Sequence, residues 1–309
     1  MGNVTVLYSF AKHDATTRLG GLTDDCVVVS VPGKNKKNKI VFVPKNGGPA
    51  VDLDPFPTSN LFPAGAHGDY AVIQQAAPRK PQTTFLLSKN GDMVQFESGG
   101  TSKSRNNVFA ARIDSSGVYG EIRKANEVSY AQWDFAGKLV ISSSINYIAG
   151  TLNNVPVLKN LLVDLPSNLG ESAALFVQND WVVGRAFEKD ESGVARTTTS
   201  NSVSWIWNMS SGLKLCSMPD GRKLSVTTVS PNGRFVVGLA WDNKTSAQES
   251  VLVDLVSSTF KNLESVAECT EGGMADWSGA RFDTDGSLYL RRIKVLNGPM
   301  EVVKVSGIN

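Results

Sequence analysis

Histidine is almost missing from this chain: His13 and His67 are the two in 309 residues. Neither stands in an HxxxH or similar ligand spacing, and no GxSxG elbow or Gly-rich phosphate loop occurs, so metal-hydrolase and serine-hydrolase chemistry lack their residues. Cysteine is scarce as well. Cys26, Cys216 and Cys269 are an odd number without CxxC spacing, which argues against a disulfide framework and suits buried, reduced thiols. A dominant charge sign is also lacking: 31 basic and 29 acidic residues leave a net charge of +2, too weak a field to make nucleic acid a partner. No apolar run reaches membrane-spanning length, so no membrane span is expected. The start, MGNVTVLYSFAKHD, has no basic region followed by an apolar stretch and a small-residue cleavage site, so no secretory signal is expected. That reading places the protein in the cytoplasm, or in a virion if it is viral. Gly2 invites myristoylation, but Val6 stands where that pattern needs Ser or Thr. Helical apolar periodicity is nearly absent.

What is present is turn chemistry between short apolar runs. With 41% hydrophobic residues, 28 Gly and 13 Pro, the composition is that of a turn-rich globular protein with material for a large core. A polar turn precedes a β-branched strand in TDDCVVVSV (23–31), HGDYAVIQQ (67–75), DSSGVYGEI (114–122), QNDWVVGRAF (178–187), PNGRFVVGLAW (231–241) and TDGSLYLRR (284–292), with a weaker copy in INYIAGTL (145–152). A hairpin pattern follows each: IVFVPKNGGPAVDL, TFLLSKNGDMVQF, SWIWNMSSGLKLC, VLVDLVSSTFKNL and IKVLNGPMEVVKV, with NLLVDLPSNLGES as a looser member and VSYAQWDFAGKLVIS (128–142) between. Alternating apolar residues around Gly, Asn or Ser turns make antiparallel hairpins. A period in the mid-forties with four short strands per unit is the signature of β-propeller blades.

The stretch SPNGRFVVGLAWDNKTSAQESVLVDL (230–255) resembles the TolB and PD40 class of WD40-like propeller repeats, in which a Ser-Pro-Asp/Asn-Gly turn precedes the second strand and an apolar-Asp-Leu strand follows. The resemblance is clear in this blade and partial in the others. The expected fold is therefore all-β, one β-propeller domain over residues 1–309 built of four-stranded antiparallel blades. Seven blades are favoured, the third and fourth compressed, with six as the alternative. The strand at 4–10 is expected to complete the last blade by pairing with 301–305, which would hide an exposed edge.

Connections between strands one and two, and three and four, are tight and uniform; those between strands two and three are long and irregular. Loop variety on a rigid scaffold is where binding concentrates. The candidate partner-binding residues are accordingly Lys34, Lys36, Lys37 and Lys39 in PGKNKKNK, Arg79 and Lys80 in APRKPQ, Lys189 and Arg196 in EKDESGVARTTTSNS, and Lys244 in DNKTSAQE. Trp133, Trp181, Trp205, Trp207 and Trp241 lie in or beside apolar strands and read as core packing rather than as a sugar-stacking set. Asp69, Asp164, Asp254 and Asp285 recur near strand ends, the place for turn capping. The functional expectation is a non-catalytic propeller that binds other proteins, copies of itself included, as a structural component of a larger assembly such as a phage virion or tail. A soluble glycan- or ligand-binding propeller and a hydrolase on the same scaffold are the alternatives. No cofactor and no metal are expected.

Overall fold

The computed structural model describes residues 2–10, 17–33, 37–55, 60–76, 83–97, 107–124, 127–143, 148–152, 155–158, 161, 163–195, 197–198 and 201–308. The chain is all-β apart from one short helix, and its sheets are the four-stranded antiparallel blades of a β-propeller. It divides into two compact units, one of Met1–Ala11 with Val157–Asn309 and one of Lys12–Pro156.

The unit of Lys12–Pro156 holds three blades. They are β2 (Arg18–Leu22), β3 (Cys26–Pro32), β4 (Asn38–Pro44) and β5 (Val51–Leu53); β6 (Asn60–His67), β7 (Tyr70–Ala76), β8 (Thr83–Ser88) and β9 (Met93–Gln95); and β10 (Asn107–Asp114), β11 (Gly117–Lys124), β12 (Glu127–Trp133) and β13 (Leu139–Ser143). Alternate faces of each middle strand feed different core layers. Ala71 and Ile73 join Val28, Phe42 and Leu87, whereas Val72 joins Leu86, Val118 and Trp133. Burial on both faces is why these strands read as unbroken apolar runs.

The other unit also holds three. They are β16 (Leu169–Gln178), β17 (Trp181–Glu188), β18 (Ser202–Asn208) and β19 (Gly212–Cys216); β20 (Lys223–Val229), β21 (Phe235–Trp241), β22 (Gln248–Asp254) and β23 (Thr259–Asn262); and β24 (Met274–Phe282), β25 (Leu288–Ile293) and β26 (Met300–Ser306) with β1 (Asn3–Phe10) at the outer edge. The ladder of β1 on β26 runs from Asn3 opposite Ser306 to Phe10 opposite Met300. Helix α1 (Leu263–Val266) follows β23 directly. The turn in SPNGRF shows why the repeat keeps those residues. Ser230 Oγ accepts from Phe235 N at 2.9 Å, Asn232 Oδ1 accepts from Arg234 N at 3.0 Å, and Gly233 takes φ +62°, a left-handed conformation that glycine adopts without steric cost.

Six four-stranded blades are present among the described residues, so the favoured count of seven is corrected to six. The segment counted as an extra blade forms only a two-stranded pairing of β14 (Ile148–Leu152) and β15 (Val155–Leu158). Among its described residues, NLLVDLPSNLGES (160–172) shows no hairpin. Residues 163–166 carry no strand, and Leu169 N turns back to Pro166 O at 2.9 Å before β16 begins. Pro166 has no N–H to give a ladder, which disfavours pairing there.

One irregularity recurs in all six blades: the first strand slips register against the second. The unpaired residues are Gly20, Ala64 and Ala111 in β2, β6 and β10. In β16 they are Glu171, Ser172 and Leu175, in β20 Thr227, and in β24 the four residues 277–280. Such bulges bend a strand and re-aim its side chains.

Candidate functional site: a cleft between two blades

Within the unit of Val157–Asn309, a cleft of about 310 Å³ opens between the blade of β20–β23 and the blade of β24–β26 with β1. Its apolar wall is Phe235, Leu252, Val266, Val305 and Ile308. These belong to the core layer shared by the two blades, together with Val237, Leu263, Leu288 and Val303. Val266, the last residue of α1, is partly buried against that layer and lines the cleft. The polar rim comes from Arg234 at the start of β21, Asp254 at the end of β22, Thr259 and Lys261 in β23, and Ser265 and Glu268 around α1.

The rim is anchored at Asp254. Arg234 Nε and a terminal nitrogen both donate to Asp254 Oδ2, at 3.0 and 2.8 Å, while Oδ1 accepts from Val256 N at 2.9 Å and Ser257 N at 3.2 Å. The hydrogen bonds from Arg234, supported by those backbone donors, hold this carboxyl far below the ordinary carboxylate range even though burial opposes them. Asp254 is therefore a fixed anion and turn cap, in the role expected for the strand-end aspartates; Asp285 likewise accepts from Ser287 N at 2.8 Å. Lys261 and Glu268 are exposed. The cleft thus presents an apolar body, one neutralised ion pair and one further charge of each sign.

The cleft does not lie among the long irregular loops. It is lined by residues at the tight-turn ends of β21, β22, β23 and β26, the edge set aside in the sequence as uniform hairpin chemistry. Of the residues singled out for binding, Lys34, Lys36, Arg79, Lys80 and Arg196 fall outside the described residues. Lys37 and Lys39 lie in the Lys12–Pro156 unit, where Lys39 pairs with Asp52 of the neighbouring strand. In the other unit Lys189 Nζ donates to Ser167 O at 3.0 Å, and Lys244 lies in a turn closed by its own N–H on Asp242 Oδ1 at 2.8 Å. None of these four lines the cleft. The signal that could have pointed to it is the apolar helix start, LESVA (263–267), standing alone in a chain of strands.

Trp133, Trp181 and Trp205 are buried in core layers, while Trp207 and Trp241 are only half-buried. Cys26 and Cys216 are buried free thiols, and burial pushes them up to about 11 and about 12, so both stay protonated and unreactive at neutral pH. Among the described residues no group of three or more His, Cys, Asp or Glu converges as a metal site would require, and no helix is long and apolar enough to cross a membrane.

No protein-family model and no curated protein matches the chain. Solved structures do. An oligogalacturonate lyase in complex with manganese is similar over 99% of this chain and 97% of its own, at 9% identity and a TM-score of 0.56. The β-propeller domain of the Trilobed protease from Pyrococcus furiosus matches 93% of this chain and 78% of its own at 9% identity, TM-score 0.41. TolB from Acinetobacter baumannii matches 90% of this chain and 61% of its own at 8% identity, TM-score 0.42. The neighbours thus include TolB and other propeller proteins, and at these identities the likeness concerns the fold alone.

Proposed function

We propose that the protein is a non-catalytic, ligand-binding β-propeller that takes an amphipathic small molecule into the cleft beside α1. The observation that carries this reading is the cleft itself: a preformed concavity with an apolar wall of Phe235, Leu252, Val266, Val305 and Ile308 and a polar rim around Arg234, Lys261 and Glu268. Binding there orients a ligand by its charges while its body leaves water. A structural role in a larger assembly, in a virion or elsewhere, draws no comparable support from the fold or its neighbours. Hydrolysis on this scaffold is compatible with the fold, but Asp254 of the cleft is committed to Arg234 and two backbone amides.

The test is a fluorescence titration with 8-anilinonaphthalene-1-sulfonate, an apolar ring system carrying one anionic group. Val266→Trp and Ile308→Trp fill the cleft from different walls, and each is expected to weaken the probe about tenfold or more while unfolding cooperatively. Unchanged probe binding in both folded variants would remove the cleft as the working site.

A further inference from the structure

The same unit holds a second cluster, in the bulge of β24, whose charges do not balance. Asp276 faces Arg291 across the β24–β25 ladder, and pairing resumes only at Arg281 opposite Tyr289, so residues 277–280 loop out against Leu290 alone. Asp276 and Arg281 therefore stand at the two mouths of one bulge. Arg291, 9% exposed, donates one terminal nitrogen to Asp276 Oδ2, and its other terminal nitrogen has only Met300 Sδ, at 3.9 Å. Its buried Nε has no partner. Arg281 donates only to main-chain oxygens, Ala280 O at 2.7 Å and Ser278 O at 3.5 Å. Asp276 is already satisfied, accepting from Ser278 N at 2.9 Å and Ser278 Oγ at 2.7 Å besides Arg291.

One carboxylate thus stands against two guanidinium groups, paired with Arg291 and acting on Arg281 only through space, and one positive charge is left over with unused donors. Burial pushes the Arg281 guanidinium down from its usual range, with Asp276 pulling the other way, the sign of a cation short of counter-charge. The neighbouring Arg292 is the contrast. It is 3% exposed yet balanced, with Nε on Glu301 Oε2 at 2.8 Å and a terminal nitrogen on Ala267 O. A buried unpaired charge and an unmade hydrogen bond are each costly, and the cost disappears when an anion supplies acceptors.

We propose that Arg281, held by main-chain oxygens of the β24 bulge, and Arg291, held by Asp276 at its other mouth, form a binding site for a small oxyanion, a carboxylate or a phosphate group. Guanidinium forks match the paired oxygens of both, and Ser278, exposed at the rim of the bulge, marks the open side. The site is separate from the cleft and does not depend on the function proposed for it.

The experiment is calorimetric titration of the full chain with sodium phosphate and, separately, sodium acetate, each against sodium chloride at matched ionic strength. Saturable binding of at least one oxyanion is expected, the two arms separating phosphate from carboxylate preference. Arg281→Gln, which removes no side-chain ion pair, is expected to weaken binding about tenfold while the thermal midpoint without anion holds. Arg292→Lys, with its partner Glu301 retained, is expected to bind like the parent. Heats no larger than with chloride, or Arg281→Gln binding as tightly as the parent, would overturn the site.

Discussion

The two units answer one backbone requirement in different ways. In every blade the first strand must slip register against the second, and in the Lys12–Pro156 unit the slip is absorbed by single small residues, Gly20, Ala64 and Ala111. Gly20 there lies directly on Pro63 of the next blade, and Gly21 on Gly65 and Ala66, leaving no room for a side chain. In the other unit the slip is absorbed by Glu171, Ser172 and Leu175, by Thr227, and by the four residues between Asp276 and Arg281. A bulge of one glycine or alanine brings blades together; one that is longer, or set with polar and charged residues, delivers chemistry to the same place. Repetition of fold therefore does not imply repetition of function within one chain, and both candidate sites fall in the unit whose bulges are the larger and more polar.

The units also share a device. In each, a buried tryptophan donates its indole N–H to a main-chain oxygen of an adjacent blade: Trp133 to Glu97 O at 2.8 Å and Trp181 to Pro231 O at 3.1 Å. Trp133→Ala and Trp181→Ala are each expected to cost about 3–5 kcal/mol, measured as the shift in urea midpoint. A loss confined to one of them would break the equivalence of the two clasps.

Glycine substitution sharpens the contrast at intermediate cost. Gly68 and Gly233 occupy the same turn of their blades with φ +57° and +62°. A Cβ at Gly68 meets nothing within 4 Å, while one at Gly233 strikes the Trp181 ring. Gly68→Ala should cost about 1 kcal/mol from backbone conformation alone, and Gly233→Ala about 2–4 kcal/mol because overpacking is added. Equal losses in thermal unfolding would show that the tryptophan yields freely.

The smallest expected effect is electrostatic. Asp254 and Asp25 are both held below the ordinary carboxylate range, Asp254 chiefly by Arg234 and Asp25 chiefly by Lys89. A depressed carboxyl contributes stability that is present above the unfolded value near 4 and is lost as pH falls through the folded one. Asp254→Asn should therefore flatten the fall in stability on acidification more than Asp25→Asn, because the side chain of Asp254 is 11% exposed and that of Asp25 50%. Parallel acid-unfolding curves for the two variants would remove the difference.

Much of the architecture was legible because propeller blades are local. PNGRFVVGLAW and VLVDLVSSTFKNL each carry turn and strands within one short stretch, and the structure places them as β21 and as the hairpin of β22 and β23. The blade count failed at 145–168, where apolar residues without a closing turn look like strands but, among the described residues, form only the two-stranded pairing of β14 and β15. The candidate sites were hidden for a different reason. The cleft is lined jointly by two blades and α1, the arginine cluster depends on a register slip, and neither is a property of any one segment. Sequence reasoning looked for function in loop variety and lysine runs, whereas the residues brought together here sit at strand ends and inside a strand.

The pairing of β1 with β26 has a consequence in time. Asn3–Phe10 is made long before its ladder partner, Met300–Ser306, some three hundred residues further along the chain. The three blades of the Lys12–Pro156 unit can each be completed as their own residues emerge, whereas the blade of β24–β26 needs a strand made before all of those blades. β1 spends that interval as an unpaired β-forming segment, so the nascent chain is open to chaperone capture, or to trespass by a neighbouring polypeptide, at Asn3–Phe10 until β26 emerges.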